Sequence, residues 1–185
     1  GYGVSIAEGG RGALTLAGGW GIDAKSSSPN TALMGHLCPL PATYEFTFYA
    51  TITSYGASTS GFYLFVCARD DAKINNASTA FRDSYLLYVR NNKVMEGYIV
   101  TDATTSPSSI ATATVTDSGG TPTEILNDRC QYRLQVTPTQ VILTNITMGG
   151  VSLTITDSTY RPAAGYIHMG RTNATFTTDT WVRVA

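Results

Sequence analysis

Apolar and polar residues alternate strictly along TYEFTFYATIT. Tyr44, Phe46, Phe48, Ala50 and Ile52 fall on one side, and Glu45, Thr47, Tyr49, Thr51 and Thr53 on the other. A period of two over that length predicts a β-strand with one buried face, because successive side chains of a strand point to opposite sides of its sheet. The turn cluster SYGASTSG leads into GFYLFVCAR, which is apolar at both parities and so predicts a strand covered on both sides. After the polar stretch DDAKINNASTAFRD come SYLLYVRN and KVMEGYIVT, joined through Asn91 and Asn92. Asparagine tolerates the left-handed backbone of a tight hairpin. A low-complexity stretch, TDATTSPSSIATATVTDSGGTPTE, precedes YRLQVTPT, QVILTNITM and VSLTIT, with Gly149 and Gly150 turning between the last two. AGYIHMGR and ATFTTDTWVRVA close the chain, and ALTLA and TALMGH are earlier strand candidates. The one helix expected is a short turn near TPTEILNDR, capped by Thr123. About ten to twelve short strands separated by frequent turns predict an all-β, two-sheet antiparallel β-sandwich or a barrel. Its core is expected from Phe46, Phe48, Leu64, Val66, Leu87, Val89, Leu134 and Leu153.

Composition narrows the function classes. The 185 residues fit one domain over 1–185, with no internal repeat and no linker to divide them. A chain of this size buries about 70% of its unfolded surface and needs no metal or disulfide staple. Charged residues are only 14% and the net charge is −1, so there is no basic surface to track nucleic-acid phosphates. No apolar run approaches a membrane helix, and the stretch GYGVSIAEGG lacks the basic n-region and apolar core of a signal peptide, which is expected to be absent or already removed. Three cysteines leave one unpaired if a bridge forms, and none sits in a CxxC pair of the kind zinc uses. Cys67 reads as a buried small hydrophobe; Cys38 and Cys130, both in connecting segments, are the pair that could bridge.

The order of segments then reaches a resemblance. Tyr132-Arg133-Leu134, the turn at Gly149-Gly150, a strand ending in Asp157, Gly165-Tyr166-Ile167-His168-Met169-Gly170, Phe176 and a final Trp181-Val182-Arg183-Val184 resemble the C-terminal part of laminin-G-like and concanavalin A-like jelly rolls. Tyr44-Glu45-Phe46, the run from Ser60-Gly61-Phe62 to Arg69, and Ser84-Tyr85 are similar to the early and central strands of those folds, so the pattern covers roughly residues 12–185. The resemblance implies a jelly-roll sandwich. That fold hosts lectins, adhesion modules, hydrolases and lyases alike, so function has to be argued from the site.

A retaining glycosidase needs two carboxyl groups about 5 Å apart. The glutamates are Glu8, Glu45, Glu96 and Glu124, and none has a carboxylate two residues away, so the Glu-x-Asp-x-x-Glu strand of the glucanase branch is absent. The Arg-rich and Gln-x-His strands of the alginate-lyase branch are absent too. No catalytic residue is assigned. Glu45, Arg69, Tyr88, Arg90 and His168 would converge in a groove if their strands shared one sheet, with His168 as the sharpest candidate for a base. The plainer account pairs Glu45 with an arginine across strands and leaves His168 hydrogen-bonded at the surface. Asp70 and Asp71, followed by Asn75 and Asn76, offer hard oxygen ligands in a loop; laminin-G-like domains often hold calcium at such a rim, and the alternative is a solvated turn. Three Asn-x-Ser/Thr sequons, at Asn76, Asn145 and Asn173, are about what this abundance of Ser and Thr gives by chance.

Tyr49 and Tyr88 lie on the more polar faces of their strands, where rings can stack on sugar C–H surfaces. The favoured reading is a non-catalytic glycan-binding or adhesion module of a larger extracellular, cell-surface or virion protein, with Tyr88 and Arg90 at the centre of the site and Tyr49, Glu45, Arg69 and His168 around them. The expected partner is carbohydrate, with neither nucleic acid nor membrane insertion, and with calcium the sole cofactor entertained. Two alternatives stay open: a polysaccharide-degrading enzyme, and a structural decoration or fibre domain that forms a homo-oligomer or assembles within a larger particle.

Overall fold

The computed structural model describes residues 4–6, 11–14, 19–23, 33–36, 40–56, 60–68, 84–100, 108–157, 164–172 and 174–184. They form fifteen strands: β1 (Val4–Ile6), β2 (Arg11–Leu14), β3 (Gly19–Asp23), β4 (Leu33–His36), β5 (Leu40–Pro41), β6 (Tyr44–Tyr55), β7 (Gly61–Ala68), β8 (Ser84–Arg90), β9 (Val94–Val100), β10 (Ser109–Thr114), β11 (Cys130–Val136), β12 (Gln140–Asn145), β13 (Val151–Thr156), β14 (Ala164–Thr172) and β15 (Ala174–Val184). An eight-stranded sheet, called A below, runs β1-β4-β14-β7-β8-β9-β10, with β5 also paired to β14; a seven-stranded sheet, B, runs β13-β12-β11-β6-β15-β3-β2. The described pairings are antiparallel throughout these sheets.

The inner faces are those the alternation predicts. Phe46, Phe48, Leu64, Val66, Leu87, Val89, Leu134 and Leu153 are all buried in one cluster between the sheets. Its centre is aromatic. Phe48 stacks on Tyr132 at 5.4 Å, and Phe62 of sheet A meets Tyr132 edge-on at 5.5 Å and Phe176 stacked at 5.3 Å. Such rings bury large apolar areas and prefer offset or edge-to-face contact, so one ring from sheet A fixes the spacing to two rings of sheet B.

Sheet A also buries residues on its outer face. Tyr63 and Phe65 are 0% exposed, Leu86 4% and Val100 0%, yet none of the four belongs to the inter-sheet cluster. This accounts for a β7 sequence that is apolar at both parities: Gly61 to Cys67 is buried throughout.

Two expectations are corrected. TPTEILNDR forms no helix. Ile125 is drawn into the core, the Thr123 amide donates to the Val115 carbonyl, Leu126 bridges Ile52, and Asn127 turns the chain at φ 63°. Burying Ile125 outweighs the weak local preference for a helical turn. The low-complexity stretch contains a strand that its sequence did not mark, β10, whose Ala111 and Ala113 pack on the core. A tight turn follows in which the Asp117 carboxylate accepts the Gly119 and Thr121 amides, each at 2.9 Å. The β12–β13 turn packs against it at Gly149, where φ is +67° and a Cβ would lie 2.7 Å from the Asp117 carbonyl oxygen, so glycine is required. Finally, Cys130 is a free thiol that begins β11 opposite Ala50, not a bridging residue in a connection. Cys38 lies outside the described residues.

Candidate functional site

The hairpin β8–β9 builds the most differentiated polar cluster among the described residues. Its register sets Tyr88 opposite Glu96 and Leu86 opposite Tyr98, while on the other side Tyr63 of β7 pairs Tyr88. Directly paired residues share a face, so Tyr63, Tyr88 and Glu96 form one row across three strands of sheet A, and Thr112 of β10 extends it. The turn at Asn91 and Asn92 holds this register: the Asn91 amide donates to the Ser60 carbonyl at 3.0 Å, and Lys93 takes the left-handed conformation at φ 74°.

The Tyr88 ring sits 5.1 Å from that of buried Tyr63 and 6.2 Å from Tyr98 in an edge-on contact. The Arg90 guanidinium lies over the Tyr88 ring, 4.3 Å from its centroid. Its Nε donates to the Glu96 carboxylate, one Nη donates to the Tyr98 hydroxyl at 3.4 Å, and that hydroxyl donates to the same carboxylate at 2.8 Å. The arginine and glutamate side chains are 19% and 22% exposed, which makes them a largely sheltered pair rather than a surface one. Burial pulls the Arg90 pKa down, but the hydrogen bonds to Glu96 and Tyr98 and the charge of Glu96 outweigh it and hold the value above that of a free guanidinium. Burial raises the Tyr98 hydroxyl pKa, the bond to Glu96 adds to the rise, and Arg90 opposes it. A half-buried ring, a phenol, a carboxylate and a planar donor fork therefore meet at the boundary between the occluded and the open parts of the outer face.

The predicted site residues do not all gather here. Tyr88 and Arg90 do. Glu45 and Tyr49 stand on β6 in sheet B, with the core between them and Tyr88, so the expectation that all share one groove is corrected. The chain passes from β6 to β7 by changing sheets, which alternation within a strand cannot reveal. Glu45 accepts a hydrogen bond from the Gln135 side-chain Nε2 at 2.7 Å, and Tyr49 lies under the Arg129 guanidinium at 3.6 Å. His168 is on β14, in register with Phe65 of β7 and Gly35 of β4. Arg69, Asp70 and Asp71 lie outside the described residues, as do Asn76 and Asn173. Asn145 is fully buried, its Oδ1 accepting the Met148 amide at 3.0 Å and its Nδ2 donating to Tyr132, so that sequon serves the fold. Among the described residues no three His, Cys, Asp or Glu side chains gather to hold a metal ion, and no helix is long and apolar enough to cross a membrane.

Glu96 and Tyr98 are the members that the strand pattern alone passed over, and Tyr63, which alternates with Phe62 and Leu64 in sequence, is buried rather than exposed. The hairpin carried the signal: closing it at Asn91 and Asn92 fixes Glu96 opposite Tyr88.

A scan against family models found no match, and a search of curated proteins found none. The fold has clear counterparts among solved structures. A carbohydrate binding module, CBM66, from Bacillus subtilis superposes with a TM-score of 0.68 at 14% identity, over 99% of this chain and 96% of that one. A legume lectin-like domain from Entamoeba histolytica gives 0.69 at 10% identity, over 98% and 89%. The VIP36 exoplasmic/lumenal domain, in its form bound to calcium and Man3GlcNAc, gives 0.70 at 8% identity, over 98% and 84%. The fold is the concanavalin A-like jelly roll. Within it, the Tyr88–Arg90–Glu96–Tyr98 cluster occupies the outer face of the eight-stranded sheet.

Proposed function

We propose that this jelly roll is a non-catalytic carbohydrate-binding module whose ligand lies across the outer face of sheet A at Tyr88, Arg90, Glu96 and Tyr98. The observation that carries the reading is the half-buried Tyr88 ring flanked by both a donor fork and a carboxylate. An aromatic face takes the C–H side of a pyranose, while neighbouring donors and acceptors take its hydroxyls. Similar folds that carry sugar-binding names support the ligand class. Glycosidase chemistry draws no support from the cluster, whose one described carboxylate is already engaged by Arg90. His168 and Arg69, on or next to strands of the same sheet, belong to the proposed periphery of the site; Glu45 and Tyr49 do not.

The setting we propose is extracellular or lumenal, as part of a cell-surface or virion protein, where copies assembled as a homo-oligomer would add avidity to a shallow site. Calcium held by Asp70 and Asp71 is a further proposal, supported by calcium-bound forms among the similar folds. Titrating calcium while following thermal stability and glycan affinity, with chelator as control, tests it. The function itself is tested by calorimetric titration against a panel of soluble polysaccharides, with product analysis for released sugar. Binding without turnover is the expected result, and turnover would establish an enzyme instead.

A further inference from the structure

Resting on the glycan-binding reading, we propose that Glu96 restricts this site to neutral sugars by holding Arg90 in an internal ion pair and presenting its own negative charge to any acidic ligand. An unpaired arginine on a sheet face would be a strong receptor for a uronate carboxylate, because its planar fork matches that group in bidentate fashion. Here the fork is already engaged. Glu96 takes the Nε donor, and the Tyr98 hydroxyl stands against an Nη while directing its own proton to the same carboxylate. The pair is about four-fifths sheltered from solvent, so its attraction is screened less than that of a surface pair. A ligand carboxylate would have to displace Glu96 or settle beside it, and like charges brought together at an interface disfavour the wrong partner. A neutral sugar meets neither obstacle. Its hydroxyls can donate to the lone pairs of Glu96, while its ring lies on Tyr88.

Alternation along either strand alone gives no hint of this. Arg90 and Glu96 are six residues apart on different strands, and only the closed hairpin brings them together.

The test measures wild type, Glu96→Gln and Glu96→Asp against neutral polysaccharides (a β-glucan, a mannan, a galactan) and acidic ones (polygalacturonate, alginate) at low and physiological salt. Wild type should bind at least one neutral polymer and bind the acidic ones at least about tenfold more weakly. Glutamine keeps the shape and an acceptor for Arg90 but removes the charge, so Glu96→Gln should gain about tenfold for the acidic polymers, with a salt dependence absent from neutral binding. Aspartate keeps the charge and should keep the neutral preference. The proposal is overturned if wild type binds uronates as well as neutral sugars, or if Glu96→Gln leaves the ratio unchanged. Should that variant fail to fold, the wild-type ratio and its salt dependence still decide. If wild type binds no glycan of either kind, the glycan reading itself fails, an outcome distinct from glycan binding with the wrong selectivity.

Discussion

The Tyr85 hydroxyl donates to the Asp157 carboxylate at 2.6 Å, joining a strand in sheet A to the end of β13 in sheet B. Tyr85 is fully buried on the inner face of β8, so its hydroxyl has been withdrawn from water and needs this acceptor. A hydrogen bond to a charged group contributes about 1.5–3 kcal/mol, and Tyr85→Phe removes it while keeping the ring. Urea denaturation of that variant should show a loss in this range. A loss under about 0.5 kcal/mol would mean that the sheets do not depend on this bond.

Leu87, two residues further along β8, tests the hydrophobic part of the same seam. It is 0% exposed in the inter-sheet cluster. Leu87→Ala should destabilise by about 2–5 kcal/mol, the transfer cost plus that of the cavity left behind. Leu86, its neighbour on the outer face, is also nearly buried, so chemical denaturation of Leu86→Ala should give a substantial loss too. A one-sided sheet would make that second substitution nearly neutral, and the comparison reads the two-sided cover of sheet A directly.

The inner face of the fold was legible in the sequence because one physical rule governs it: alternate residues of a strand point into the core, and apolar ones must. Phe46, Phe48, Leu87 and Leu134 follow from that rule alone. β10 was hidden because its inward residues are Ala111 and Ala113, too small to mark a period against the Thr and Ser around them. The grouping of site residues was legible only within a hairpin. Alternation says whether a residue faces in or out but not which sheet carries it, so Glu45 and Tyr88 look alike in sequence while standing on opposite outer faces. Arg90 and Glu96 could be joined, because the turn between them fixes the register.

Alkaline pH should weaken the fold through Tyr132 and Cys130. Burial holds the Tyr132 hydroxyl well above its ordinary pKa, with Cys130 adding to the rise, and burial raises the Cys130 thiol against the opposing hydrogen bond from Asn145. In the unfolded chain these groups ionise near pH 10 and 8.5 respectively. Below those values both states are neutral at these positions and the groups leave stability unchanged with pH. Above them the unfolded state loses protons that the folded state retains, so stability falls as pH rises towards the folded values, by up to about 1.4 kcal/mol per pH unit for each group. Urea midpoints compared at pH 8 and pH 10.5 should show the drop, and Tyr132→Phe should flatten the part due to tyrosine. Native Cys130 should also resist alkylation at pH 8 and react once urea is added, as read by mass mapping of its peptide.

Tyr88 and Tyr49 together decide which face binds. Both are half-buried tyrosines beside an arginine, Tyr88 with Arg90 at 4.3 Å and Tyr49 with Arg129 at 3.6 Å, but they stand on different sheets. Around Tyr88 a carboxylate, a phenol and a second ring supply the acceptor, donor and apolar wall that a sugar requires. Tyr88→Ala should weaken glycan binding by about 1–3 kcal/mol, the range expected for an anchoring aromatic, while Tyr49→Ala should leave it unchanged. Each variant needs thermal melting and titration on the same preparation, since Tyr88 also covers buried Tyr63 and some loss of stability is expected with the ring. A folded Tyr88→Ala protein that binds with wild-type affinity would remove the outer face of sheet A as the site. If Tyr49→Ala then weakened binding, the ligand would belong to sheet B, where the Arg129–Tyr49 stack would be its anchor.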